Sequence, residues 1–193
     1  MQEDGCVEAS GRGVKRERTR GGRGAGGTEA GRSGIPWSMS LAQGDAAPDF
    51  DVTSSDGRRF HLAELRGKKN VVLYFYPKDF TPICTAEACG FRDNYAALQG
   101  RDTEVIGVSF DDDGSHQAFA KEHQVPFALV SDPTKQLATA YGVYGGVRAL
   151  FGRIARVTFV IDKQGKIAAV FNSELFAGNH VQGARKAIEA LPA

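Results

Sequence analysis

Cys84 stands where a continuous β-branched and aromatic run, NVVLYFYP from Asn70 to Pro77, gives way through a short loop to a helical pattern. A cysteine at a helix N-terminus meets free backbone amides and the positive end of the helix dipole, and both favour thiolate over thiol. The chemistry expected of Cys84 is therefore nucleophilic, although a lone cysteine is more commonly a small buried apolar residue. Thr81 lies three residues earlier, where its hydroxyl can hydrogen-bond the sulfur or an oxygen bound beside it. Pro77 and Pro82 stiffen the loop, and Pro82 suits the first turn of a helix, where no backbone donor is needed.

Cys89 follows five residues after Cys84. In an intact helix that separation sets the two α-carbons roughly 8 to 9 Å apart and on different faces. A disulfide reaches only about 7 Å. The two sulfurs can bridge only if the first turns of the helix unwind, which would couple oxidation to a local loss of order. Gly90, directly after Cys89, weakens the helix where that unwinding would occur. The spacing suits neither a metal pair nor a C-x-x-C redox motif. Cys6 reads as an incidental thiol. His61, His116, His123 and His180 have no ligand spacing and are all expected at the surface; of the four, only His180 stands in a loop-to-helix junction from which the site could be reached. Asp111 to Asp113 precede a helical pattern and read as capping and solvation, and Tyr74, Phe75 and Tyr76 as core.

The elements that must position these residues alternate along the chain. PDFDV and RRFHLAEL flank Asp56 and Gly57, predicting a short hairpin followed by a helical turn. The run from Asn70 to Pro77 predicts a strand buried on both faces at the centre of a sheet. Then come a helix from about Cys84 to Leu98, a strand at TEVIGVSF, a helix at HQAFAKEHQ, a strand at FALVSD and a helix at KQLATAYGV. RVTFVID and KIAAVFNS, separated by KQG, predict an antiparallel hairpin, and Asn179 to Leu191 a closing helix. This order predicts an α/β fold in which helices sandwich a mixed central β-sheet.

At 41% hydrophobic and 24% charged, 193 residues can bury one substantial core. A formal charge of +1 demands no anionic partner. Residues 1–38, rich in Gly and Arg and poor in apolar residues, are expected to form a disordered N-terminal extension to a domain spanning residues 39–193. Such a stretch can touch RNA phosphates, but it carries no interleaved aromatics for base stacking, and nucleic-acid binding is not expected. No stretch is long and apolar enough to span a membrane, and no secretory signal is apparent. A cytoplasmic protein is expected. An organellar transit peptide is the alternative, opposed by Glu3, Asp4, Glu8 and Glu17, and a start at Met39 is a third reading.

Pro77, Thr81 and Cys84 form the pattern P-x-x-x-T-x-x-C, and with CTAEACGFRD behind it the segment resembles the peroxiredoxins, in their Q-type or bacterioferritin comigratory protein branch. The similarity runs from about Gly44 to Leu191, through YGV, RVTFVIDKQGKI and VFNS. Two departures are Ile83, where many relatives carry Gly, and a Tyr141 to Arg156 connection shorter than in some bacterial members.

The resemblance implies a thioredoxin-like fold and assigns roles by position. Cys84 becomes the peroxidatic cysteine, shielded by Pro77, with Thr81 orienting the peroxide. Cys89 becomes the resolving cysteine. Arg156, by itself a solvated strand-end charge, matches the active-site arginine, and a fixed cation there favours thiolate and steadies negative charge on peroxide oxygens. Glu87 resembles the acid that holds this arginine, although alone it reads equally as a surface glutamate. The implied activity is reduction of hydrogen peroxide and organic hydroperoxides through a Cys84 sulfenic acid, resolved by Cys89 as an intramolecular disulfide. With no C-x-x-C and no glycine-rich dinucleotide turn after a strand, the implied reductant is thioredoxin or a related dithiol protein. No cofactor or metal is implied, and the chain is expected to be a monomer. The rival reading is a disulfide exchanger or thiol sensor without peroxide turnover, which would need neither Thr81 nor Arg156 in these places.

Overall fold

The computed structural model describes residues 41–145, 150 and 152–192; the expectations for residues 1–38 and for Cys6 lie outside the described residues. A two-stranded antiparallel hairpin comes first, β1 (Asp51–Thr53) and β2 (Arg59–His61), followed by the single turn of α1 (Leu62–Leu65). Next come β3 (Asn70–Phe75), α2 (Pro82–Asp93), α3 (Tyr95–Gln99), β4 (Thr103–Ser109) and α4 (Asp113–Glu122). The chain continues through β5 (Ala128–Ser131), α5 (Gln136–Ala140), β6 (Val157–Ile161), β7 (Ile167–Asn172) and α6 (Ala177–Ala190).

Five strands form one mixed sheet in the order β5-β4-β3-β6-β7. β3 pairs parallel with β4 and antiparallel with β6, and is central, as its unbroken apolar run predicts. Its alternating side chains feed two cores. Val71, Leu73 and Phe75 pack with Phe60, Leu62, Leu137 and Ala138 on one face. Val72 and Tyr74, with Tyr76 just beyond the strand, pack on the other with residues of α2, α4 and α6, among them Ala88, Phe91, Phe119, Val181 and Ala184. The sheet is thus covered on both faces, and Tyr74, Phe75 and Tyr76 are core residues, each no more than 1% exposed.

The helix predicted from Cys84 to Leu98 is two helices. Asn94 interrupts it, with its side-chain Nδ2 donating to the Gly90 carbonyl at 2.8 Å. Asparagine readily takes up such local backbone hydrogen bonds, and here the bond turns the chain from α2 into α3. Gly90 has a packing role as well as a low propensity. A β-carbon there would sit 2.9 Å from Val181 Cγ2, so the glycine lets α2 and α6 approach.

Candidate active site

The loop after β3 delivers Cys84 to the first turn of α2, with Thr81 at the N-cap and Pro82 at the first helical position. Cys84 is a free thiol, only 2% exposed. The Thr81 hydroxyl donates to the Lys78 carbonyl at 3.0 Å, not to the sulfur. Its proton is therefore committed to the loop, and its oxygen is left to accept. Pro77 is half-buried in the same loop.

Arg156 precedes β6, directly across the sheet from the end of β3, since Val157 pairs with Phe75. Its guanidinium is buried, and Nη2 donates to Cys84 Sγ at 3.0 Å while Nη1 donates to Glu87 Oε2. Cys84 and Glu87 stand three positions apart on α2 and so share one helix face. One rigid fork thereby spans both acids, a geometry that a lysine cannot reproduce. Burial opposes the charge on Arg156, but Glu87 and Cys84 outweigh it and hold the guanidinium protonated. Glu87 is wholly buried, and loss of solvation pushes its carboxyl up to about 7, against the pull of Arg156.

Two histidines expected at the surface are fully buried. His180, on α6, places Nδ1 3.5 Å from Glu87 Oε1 and 2.9 Å from Thr158 Oγ1 on β6. Its Nε2 meets the Ser173 carbonyl at 2.9 Å, and burial lowers its affinity for a proton. His116, on α4, places Nδ1 2.8 Å from Asp79 Oδ2. Asp79 also accepts from Tyr76 Oη at 2.7 Å and Ser115 Oγ at 2.8 Å, and its backbone amide donates to Asp111 at 2.8 Å. Burial raises the Asp79 carboxyl, but these donors, His116 foremost, outweigh it and lower it. The loop between β3 and Cys84 is thus pinned from beneath by a buried polar cluster.

The acidic run beside it divides its work. Asp112 caps α4, accepting from the Ser115 amide at 2.8 Å, while Asp111 holds the loop. The structure therefore brings together Cys84, Arg156 and Glu87 and places Thr81 and Pro77 in the adjoining loop. Asp79, His116 and Thr158 were not foreseen in sequence, and His180, noted for its junction near the site, is buried rather than at the surface. A signal for some of them existed, because Glu87, His116 and His180 each fall on the buried stripe of their helix.

Cys89 is buried in the same helix as Cys84 and within its intact part, so the two cysteines stand roughly 8 to 9 Å apart at their α-carbons. Among the described residues no group of three or more His, Cys, Asp or Glu side chains could hold a metal ion. No described helix is long and apolar enough to cross a membrane. A surface cleft of about 310 Å³, lined by Ser55, Asp56, Gln117 and Lys121 among others, includes none of these site residues.

Residues 43–170 match the model of the AhpC/TSA family. The chain is 39% identical over 150 residues to the chloroplastic peroxiredoxin Q of Populus jackii, an alignment covering 77% of this chain and 68% of that one. The crystal structure of peroxidoxin BcpB from Mycobacterium tuberculosis superposes with a TM-score of 0.72 at 31% identity, covering 79% of this chain and 99% of that one. The bacterioferritin comigratory protein of Xanthomonas campestris, described for its alkyl peroxide reduction activity, superposes with a TM-score of 0.66 at 27% identity, covering 73% and 90%. The chain belongs to the AhpC/TSA family. It has the thioredoxin-like fold of the peroxiredoxins and is a thiol-dependent peroxidase of their Q or bacterioferritin comigratory protein type.

Proposed function

We propose that Cys84 is the residue that attacks the peroxide and Cys89 the one that resolves the product. The observation that carries this reading is the 3.0 Å hydrogen bond from Arg156 Nη2 to Cys84 Sγ, which aims a fixed cation at a sulfur carried in the first turn of α2. In the reaction the Cys84 thiolate forms a bond to one peroxide oxygen as the O–O bond breaks. The departing oxygen takes the electron pair and a proton and leaves as water, or as an alcohol from an organic hydroperoxide. Arg156 stabilises the charge that develops on that oxygen. Thr81, whose proton is engaged by Lys78, accepts from the peroxide O–H and so orients it. Pro77 shields the site.

In the fully reduced protein the neutral Cys84 sulfenic acid then condenses with the sulfhydryl of reduced Cys89, releasing water and forming a disulfide once the first turns of α2 have unwound. A dithiol protein such as thioredoxin returns two electrons and is itself oxidised to a disulfide. The substrate class is hydrogen peroxide together with organic hydroperoxides. The alkyl peroxide activity described for the Xanthomonas relative supports the second of these. The same reading takes the chain as a cytoplasmic monomer, with an organelle as the alternative site because plant relatives are named chloroplastic.

Intact mass of the fully reduced protein after one equivalent of hydrogen peroxide tests the assignment. Loss of two hydrogens mapping to Cys84 and Cys89, and gain of one oxygen on Cys84 in Cys89→Ser, is the expected result. An unreacted Cys84 would overturn it.

A further inference from the structure

Behind Arg156 the site continues into α6. His180 Nε2 faces a backbone carbonyl, which can only accept, so this nitrogen carries a proton and Nδ1 is the position whose state can change. Nδ1 is the atom that faces Glu87, at 3.5 Å, and Thr158, at 2.9 Å. A carboxyl and an imidazole nitrogen this close and out of water hold one proton between them more stably than none or two. With none, the carboxylate is left in a buried site that already holds a thiolate. With two, a second cation stands beside Arg156.

The charges facing this pair come from every element around it. Cys84 on α2 and Arg156 before β6 contribute one negative and one positive charge when the sulfur is ionised. Glu174, after β7, is a further anion that favours keeping the proton, and Tyr74 on β3 stays neutral because burial raises its hydroxyl well above its ordinary value. Thiolate, guanidinium and carboxylate together leave one negative charge in excess, and a single proton on Glu87 or His180 cancels it.

We propose that His180 is a positioning residue of the peroxidase site, sharing one proton with Glu87 and thereby setting how strongly Glu87 competes with the Cys84 sulfur for Arg156. With the proton in place, the thiolate is the one full anion on the guanidinium. With it gone, Glu87 is a full carboxylate and draws Arg156 from the sulfur. Burial raises Glu87 to about 7 and lowers the affinity of His180 for a proton, so loss of solvation opposes charge on both members of the pair. The inference rests on Cys84 being the peroxide-reactive sulfur.

The test is the rate of Cys84 thiol loss to hydrogen peroxide between about pH 5.5 and 9, in the reduced full chain and in His180→Gln. In wild type the rate should fall on the alkaline side as the shared proton leaves. In the variant Glu87 must hold that proton alone, so the fall should move to lower pH, and the ratio of variant to wild-type rate should drop about tenfold between pH 6 and pH 8. A ratio constant across pH, or a shift to higher pH, would leave His180 a packing role and overturn the inference.

A second measurement needs no variant at position 180. The nitrogen-15 signals of His180 are titrated in reduced wild type and in Cys84→Ser. By reciprocity, losing the thiolate should move the His180 transition to lower pH, and coincident curves would also overturn the proposal. A wild-type Cys84 that does not react with peroxide at any pH overturns the assignment of Cys84 and this inference together. A reactive Cys84 with a pH-independent ratio overturns the inference alone.

Discussion

Arg156 and Glu87, 69 positions apart in the chain, form an ion pair from which water is excluded, and the same guanidinium holds the sulfur of Cys84. The pair joins the residue entering β6 to α2, so the cation is fixed by the packing of a helix on a sheet. Its two hydrogen bonds leave from different nitrogens, which sets the plane of the guanidinium as well as its distance.

Arg156→Lys is expected to keep the charge and lose the fork. A single ammonium cannot hold Glu87 and Cys84 with fixed relative geometry. The rate of Cys84 oxidation should fall about 100- to 1000-fold, the usual cost of losing one preorganised donor to a developing charge. Stopped-flow competition for hydrogen peroxide against a reference peroxidase measures this. A rate within threefold of wild type would show that only net charge matters.

Glu87 should make stability depend on pH in an unusual direction. Its carboxyl is raised from the ordinary 4.5 to about 7, so between those values the folded chain binds more protons than the unfolded one. The stabilisation from protonated Glu87 is complete below about pH 4.5 and is lost as pH rises to about 7. Melting curves across this window, for wild type and Glu87→Gln, should diverge by on the order of 1 to 3 kcal/mol in favour of the variant as pH rises. Parallel curves would mean that Arg156 holds Glu87 ionised throughout.

Asp79 works with the opposite sign. Its carboxyl is lowered, so its stabilisation is present above the ordinary aspartate range and lost as pH falls through the folded value. Asp79→Ala strands His116, Tyr76 Oη and Ser115 Oγ in a buried space. A loss of about 3 kcal/mol or more is expected in urea denaturation, with slower Cys84 oxidation because the loop carrying Thr81 loosens. Full stability in the variant would show that the cluster is dispensable.

How legible the site was in sequence follows from distance along the chain. The strands were plain because β3 and β4 are buried on both faces and so are written in continuous apolar runs. Cys84, Thr81 and Pro77 sit within one loop and helix start, where local spacing carries the chemistry. Arg156 and Glu87 came only with the family resemblance, since nothing local links a strand end to a helix 69 positions away. Asp79 and His116 are 37 positions apart and had no such motif to join them. Yet His180 occupies the stripe of Ala177, Val181, Ala184 and Ile188, spacing that marks the buried face of α6 whatever the polarity of one member. A histidine in that stripe predicts a buried partner, and treating it by residue type alone placed it at the surface.

The last prediction concerns α2 itself. Both cysteines belong to one intact helix, and the close approach of Gly90 to Val181 clamps its middle to α6. A bridge between Cys84 and Cys89 requires at least about 1 to 2 Å of approach between α-carbons, which helical geometry forbids. Formation of that disulfide should therefore melt the turns from Pro82 to Cys89 and carry Cys84 away from Arg156. Hydrogen exchange of the peptide covering residues 82–93 should be slow in the reduced protein and faster by about 10-fold or more once the disulfide has formed, while β3 and β4 stay protected. Return of slow exchange on adding a dithiol would show that the change is reversible. Unchanged protection in protein whose disulfide has been mapped to Cys84 and Cys89 would exclude unwinding as the route to resolution.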